Sequence, residues 1–286
     1  MADRESTATS YYVPLSAPAG ADPEFEYFQP TEATISVWSA DLQHGGPPAG
    51  LMMRSMTRAV DDDGQQFSRV TTEILGAMGL GVNRVKAWVS RPGRRISQVT
   101  AELEVQLPDG EYRLAGRTVA WRILATDSSA AAHSPVEPLT ATPDELPQVV
   151  GFPDDGDAPV PWGRIGFIGT AVTARQEGRN GQTPATWIKS MLPLVEGEVS
   201  TNLVAVFTVL DVANGVGTRL DPTQWSWMNM DTTVHLVGQP TSPWLGIDSD
   251  LAVGRGGYGA SFADLYDVTG FLGRSAQTDM IVDVSG

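Results

Sequence analysis

Val99, Ala101, Leu103, Val105 and Leu107 place an apolar side chain at every second position, and this constrains the chain more than any other feature. Strict period-two alternation over that length is a strand with one buried face. Pro108-Asp109-Gly110 then supplies a turn, and a second run through Val119, Trp121 and Ile123 completes a long antiparallel hairpin. Upstream, Ala49, Met52, Met56, Ala59 and Val60 recur at helical spacing behind Gly45-Gly46-Pro47-Pro48, where proline suits a first helical turn. The first half therefore reads as a short strand, one helix and about four long strands.

Residues 127–161 are rich in Ala, Ser, Pro, Asp and Gly without periodicity, the composition of a linker. The order then repeats. Strand-like segments near Ile165 to Ala174 and Ala185 to Leu192 precede an apolar helix, and strands follow near Trp225 to Val237, Trp244 to Asp248, Tyr258 to Asp267 and Phe271 to Val284. One helix per antiparallel sheet, twice, predicts a duplicated α+β fold, with units at 1–126 and 162–286. Leu114-Ala115-Gly116-Arg117-Thr118 and Phe271-Leu272-Gly273-Arg274-Ser275 echo each other after the last turn of each half. Gln277 falls opposite Ala120, so the polar equipment sits in the second half.

With 34 acidic against 19 basic residues in 286, a net charge of −15 excludes binding to nucleic acid or anionic membrane by a broad electrostatic field. Arg91-Pro92-Gly93-Arg94-Arg95 is the best local basic patch, either a solvated hairpin tip or a contact for an anionic ligand. Cysteine is absent, and His44, His133 and His235 lack ligand spacing, so no metal site is expected. No apolar stretch approaches a membrane span, and the polar start lacks a signal-peptide core; the expectation is a cytoplasmic protein.

Asp211 is the lone charge in the apolar stretch from Leu203 to Ala213. That stretch suits one buried helix, capped by Ser200 or Thr201 and stopped by Asn214-Gly215, which puts Asp211 in its last turn. The macrodipole there opposes a carboxylate, so Asp211 does not serve the helix. It is the first candidate for chemistry, against the plainer alternative of a bond to nearby amides or to Arg219.

These residues resemble a known family. Phe28-Gln29-Pro30-Thr31, Trp38, Gln43-His44-Gly45-Gly46-Pro47-Pro48-Ala49-Gly50-Leu51, Arg91-Pro92-Gly93-Arg94, Leu210-Asp211-Val212-Ala213-Asn214-Gly215, Asn229-Met230-Asp231-Thr232-Thr233-Val234-His235 and Gly273-Arg274-Ser275-Ala276-Gln277 look like motifs of actinobacterial acyl-CoA thioesterase-like proteins. The resemblance spans about residues 11 to 283. It implies a double hotdog fold, two antiparallel sheets each wrapped around a central helix, and hydrolysis of an acyl-CoA without a cofactor; association into homo-oligomers is consistent with it. In the related type II thioesterases an Asp, a Thr and a Gln activate water. By motif the Asp falls on Asp211, the Gln on Gln277, and the Thr position holds Asn229, which replaces a hydroxyl by an amide.

Thioester hydrolysis needs a positioned water, an acceptor for its proton and donors for the oxyanion. Asp211 suits the acceptor, Asn229 and Gln277 the water, and the helix start at Gly45 and Gly46 the oxyanion, with Arg91 and Arg94 as candidates for CoA phosphates. Direct attack by Asp211 is the alternative route. If Gly46 serves the oxyanion, Gly46→Val impairs turnover more than folding. Asp231, two residues from Asn229, is placed on the same strand face and given a supporting role. Trp162, Trp187, Trp225, Trp227 and Trp244 are core or the lining of an acyl channel. The alternative function is an acyl-CoA or acyl-carrier binding protein without turnover, which the missing Thr hydroxyl favours. A hydratase or dehydratase ranks lower, since it calls for an Asp and His pair and only His235 stands near the motif.

Overall fold

The computed structural model describes residues 7–152, 162–179, 181 and 183–285. Its strands are β1 (Tyr12–Leu15), β2 (Glu26–Pro30), β3 (Gln65–Ile74), β4 (Asn83–Arg91), β5 (Ile96–Gln106), β6 (Tyr112–Leu124), β7 (Gln148–Val150), β8 (Ala171–Gln176), β9 (Ala185–Ser190), β10 (Trp225–Asn229), β11 (Asp231–Leu236), β12 (Leu245–Val253), β13 (Tyr258–Asp267) and β14 (Gly270–Asp283). The helices are α1 (Gly46–Arg58), α2 (Gly166–Gly169), α3 (Asn202–Val209) and α4 (Ala213–Val216), with a 3₁₀ turn at Leu210–Val212 between the last two.

The sheets of the two units, expected to join or to pack against each other, join. All 14 strands join a single sheet in the order β1-β2-β4-β5-β6-β3-β11-β14-β13-β12-β9-β8-β7, with β10 paired to β14. The halves fuse where β3 pairs with β11, Val70 opposite Val234. Pairing these two strands satisfies the edge each half would otherwise expose.

α1 is buried along most of its length, Arg54 and Ser55 included, as suits a central helix rather than a surface one. It packs on β4, β5 and β6 and against α3. Leu51, Met52, Met53 and Met56 share one core with Val204, Val206, Phe207 and Leu210 of the second half. The helices meet through glycine: a Cβ on Gly46 would run into the Thr208 carbonyl oxygen, and one on Gly50 into the Thr208 hydroxyl. Thr201 caps α3 by accepting the Val204 N–H at 3.3 Å. The expected stop at Gly215 is not used; the chain stays helical to Val216, and Asn214 turns inward, buried.

The hairpin forms as read, but its second strand faces the other way. Val99 pairs with Ala120, so Thr118, Ala120 and Arg122 point inward while Val119, Trp121 and Ile123 lie on the outer face. Thr118 and Ala120 are small where α1 lies close, with Met52 Sδ 3.5 Å from the Thr118 hydroxyl. The duplicated string has a structural meaning. Register shifts occur near Gly116 and Gly273, and each following arginine pairs across the strand, Arg117 to Glu102 at 2.8 Å and Arg274 to Asp264 at 2.6 Å.

Two segment readings need correction. Ile165 to Gly169 is not strand: Ile165 is the N-cap of the short α2, and the rest is that helix. Part of the expected linker folds onto the second half: β7 pairs with β8, and the Ala141 carbonyl accepts the Trp187 indole N–H at 2.9 Å. Trp187, Trp244 and Tyr266 form a small second core that Leu139 and Leu146 cover. Residues 153–161 of that segment lie outside the described residues.

Candidate active site

The break between β10 and β11 builds the site. Asn229 pairs with Asp279, whereas Thr233 pairs with Ala276, so one extra residue has entered the strand near Met230. The slip sends Asn229 and Thr232 to the inner face together. Asp231 is turned outward instead of sharing Asn229's face, and its carboxylate accepts the Thr278 N–H at 2.9 Å, a structural bond.

Asp211, in the 3₁₀ turn beyond α3, is buried at 8% exposure. Asn229 Nδ2 donates to its Oδ1 at 2.6 Å. Gln277, 2% exposed, reaches the backbone of the same residue: its Nε2 donates to the Asp211 carbonyl at 3.1 Å and to the Thr232 hydroxyl at 3.0 Å. Gln277 Oε1 is buried without a partner. Arg219, the alternative partner of Asp211, bonds Asp250 instead at 2.8 Å.

The first half contributes more than expected. Gly45 lies so close that a Cβ on it would stand 2.7 Å from Asp211 Oδ2. His44, set aside for lacking ligand spacing, places Nδ1 3.2 Å from the same oxygen. Burial lowers the imidazole pKa below its usual 6.5, and the negative charge of Asp211 opposes that shift. A His and Asp pair is thus present, with His44 as its imidazole.

The helix start is a poorer oxyanion site than its glycines suggest. Pro47 and Pro48 have no N–H, the Ala49 N–H bonds the Gly45 carbonyl at 3.1 Å, and the Gly46 N–H is directed at His44 Nδ1 at 3.2 Å. The Gly46 N–H is a donor of this turn that a ligand could take from its partner.

A cavity of about 10 Å³, room for about one water, opens beside Asp211. Gly45, Thr72, Met78, Phe207, Asp211 and Thr232 are in its wall; His44 and the tryptophans are not. Trp187, Trp227 and Trp244 are core, Trp227 meeting Trp38 edge to face at 5.3 Å. The side chain of Trp162 lies outside the described residues.

A second carboxylate lies behind the first. Asp279 accepts from Asn214 Nδ2 at 3.1 Å and from the Ser261 hydroxyl at 2.7 Å. Burial pushes its pKa up, the charge of Asp211 adds to that, and the two hydrogen bonds oppose it.

The structure does not bring Arg91 and Arg94 to this cluster. Arg91 bonds the Ile96 carbonyl at 3.0 Å and lies over Trp121, and the Gly93 carbonyl accepts from Gln65, the first residue of β3. The cavity touches Ile74, the last residue of that strand, roughly 30 Å away at about 3.3 Å per residue. No group of His, Cys, Asp and Glu among the described residues is placed to hold a metal.

The sequence of residues 34–126 matches the acyl-CoA thioesterase N-terminal domain, and residues 143–281 match the acyl-CoA thioesterase C-terminal domain. The chain belongs to the acyl-CoA thioesterase family. Among curated proteins none matches it in sequence. Solved structures share its fold. A hot dog fold protein of unknown function from Alicyclobacillus acidocaldarius superposes with a TM-score of 0.66 at 15% identity, covering 92% of this chain and 95% of the other. The acyl-CoA thioesterase II TesB2 of Mycobacterium marinum gives 0.62 at 14%, covering 93% and 94%. The tesB protein of Mycobacterium avium subs paratuberculosis gives 0.60 at 12%, covering 90% and 92%. No helix among the described residues is long and apolar enough to cross a membrane.

Proposed function

We propose that this thioesterase hydrolyses an acyl-CoA at the Asp211 site by activating water. The observation that carries the reading is the 2.6 Å bond from Asn229 Nδ2 to Asp211 Oδ1. It fixes a buried carboxylate in the cavity wall; Gln277 stands behind that wall, bonded to its Thr232 and with Oε1 unpartnered, so a small shift of its amide would offer water an acceptor. Asn229, in the place where the related enzymes carry Thr, holds the carboxylate by its amide N–H and keeps its own carbonyl oxygen for the water.

The water oxygen attacks the thioester carbonyl carbon while its proton passes to the Asp211 carboxylate. The carbonyl oxygen takes the electron pair, and the Gly46 N–H is the donor suited to it. Collapse of the tetrahedral intermediate breaks the C–S bond, the thiolate of CoA leaves with that pair, and the proton on Asp211 returns to the thiolate or to solvent. The wall of Met78, Phe207, Ile74 and Leu210 offers apolar contact for the acyl group.

One observation favours a binding protein instead. Both Asp211 oxygens already have a neighbour, Asn229 on Oδ1 and His44 on Oδ2. Thiol release from acetyl- to lauroyl-CoA, measured for the native chain and Asp211→Asn, separates the two. Turnover that vanishes in a folded Asp211→Asn supports hydrolysis; tight binding of acyl-CoA without turnover in the native chain replaces it with the binding reading.

A further inference from the structure

An imidazole beside a buried carboxylate is expensive to assemble unless it does something for its neighbour. His44 is held firmly. Its backbone N–H bonds the Thr34 carbonyl at 2.7 Å, the adjacent Gln43 N–H bonds the Met78 carbonyl at 2.7 Å, and the ring packs on Phe167 with centroids 4.6 Å apart.

The side chain has two contacts through one atom. Nδ1 lies 3.2 Å from Asp211 Oδ2 and 3.2 Å from the Gly46 amide nitrogen. These contacts are alternatives, because a neutral ring nitrogen either carries a proton and donates or offers a lone pair and accepts. An ionised Asp211 selects the first, since an N–H bonds an anionic oxygen and a lone pair repels it. Nε2 is bonded to none of the described residues and is the ring nitrogen left to take a further proton.

We propose that His44 is a positioning residue for hydrolysis. Its Nδ1–H holds Asp211 Oδ2, which turns the carboxylate toward the cavity, and the same tautomer releases the Gly46 N–H from Nδ1 to meet the thioester oxygen. This rests on the thioesterase reading above. His44 touches no reacting atom and acts through Asp211 and Gly46.

A pH signature follows. Asp211 is the titratable group in contact with the ring, Phe167 and Gly46 being uncharged, and Asp279 on β14 acts on Asp211 in turn. Burial holds the imidazole pKa below its usual 6.5 against the opposing charge of Asp211, which favours the neutral ring. Acidification protonates Nε2, and the resulting imidazolium draws on the Asp211 carboxylate and weakens it as a base. Activity therefore falls as pH falls through the His44 pKa.

Two measurements test this. In thiol-release assays, with folding checked by circular dichroism, His44→Ala is expected to lower kcat on the order of ten- to a hundredfold with KM nearly unchanged. His44→Gln keeps an N–H for Asp211 but does not titrate; it should recover much of kcat at pH 7 and move the acid limb of the profile to lower pH. A folded His44→Ala with native kcat, or a His44→Gln limb at the native pH, overturns the proposal. The second measurement needs no turnover: ¹⁵N shifts of the His44 ring at pH 7 to 8 should report protonated Nδ1 in the native chain and protonated Nε2 in Asp211→Asn. Protonated Nε2 in both overturns the clamp. A native chain that shows protonated Nδ1 yet hydrolyses nothing keeps the clamp and removes the thioesterase reading.

Discussion

Gly45 and Asp211 are in contact across the junction of the two halves: a Cβ on Gly45 would stand 2.7 Å from one carboxylate oxygen and 2.8 Å from the other. A glycine N-cap thus leaves room for a carboxylate from the other half. Gly45→Ala should push the Asp211 carboxylate aside, which is cheap for the fold because the displaced atoms end a side chain. We expect kcat to fall on the order of a hundredfold with a melting temperature near native. Unchanged kcat would show that the carboxylate position is not critical.

Gly46 behaves differently, and its surroundings add a folding cost to the expectation that Gly46→Val impairs turnover more than folding. Its Cβ would meet the Thr208 backbone carbonyl, which cannot move without α3. Gly46→Val should destabilise by about 1–3 kcal/mol or more, as overpacking does, and a urea titration would read it.

Arg54 ties the halves at another point on α1. It is 9% exposed at the side chain and reaches Glu198 at 2.6 Å and Glu26 at 3.0 Å. Burial alone would lower the Arg54 pKa, but the bonds to Glu198 and Glu26 outweigh it. Arg54→Met should cost about 2–3 kcal/mol, since charged hydrogen bonds are lost while the methionine keeps most of the packing. The bond from Arg54 holds the Glu198 carboxyl below its usual 4.5. Its contribution is present above pH 4.5 and lost as pH falls through the lowered value, so native and variant chains should converge in stability under acid. A gap that persists there would assign the loss to packing.

Asp279 gives the opposite sign. A carboxyl whose folded pKa is raised stabilises the native state below the unfolded pKa of 3.8 and loses that contribution as pH rises through the folded value. Asp279→Asn, nearly isosteric and able to keep the bonds to Asn214 and Ser261 in part, should raise the melting temperature more at pH 8 than at pH 5. An equal shift at both would rule out ionisation as the cause.

Met78 is in the cavity wall and also blocks space beside Gly116, where a Cβ would lie 2.9 Å from Met78 Cε. Met78→Ala should enlarge the cavity and shift turnover toward longer acyl chains. The ratio of kcat/KM for lauroyl- over acetyl-CoA would measure this, and an unchanged ratio would place the acyl group elsewhere.

The strands were legible where alternation was long: Tyr258 to Asp267 is β13 as read, and the Val99 to Leu107 run contains most of β5. The inward face of that hairpin's second strand is not legible, because Arg122 is buried through Asp63, 2.7 Å away, and the Asp61 and Gln65 carbonyls, partners that no local pattern reveals. Asp211 stood out because a single charge in an apolar helix is visible in one dimension. His44 did not, since its partner lies on another helix, and Thr232 was hidden by the slip near Met230 that sends it inward. For His44 the sequence held one usable sign: it directly precedes the Gly45-Gly46 turn.

The sequence by itself determined the local periods, the repeated helix-and-strand order and the motif residues of a thioesterase family, because these depend on neighbours within a few positions along the chain. Tertiary structure decided that the two sheets are one, that Gly45 and His44 of one half meet Asp211 of the other, and that Arg91 and Arg94 lie far from them. Those relations depend on strand register and on the approach of α1 to α3. A one-residue slip or a single missing Cβ changes both, and neither leaves a periodic trace.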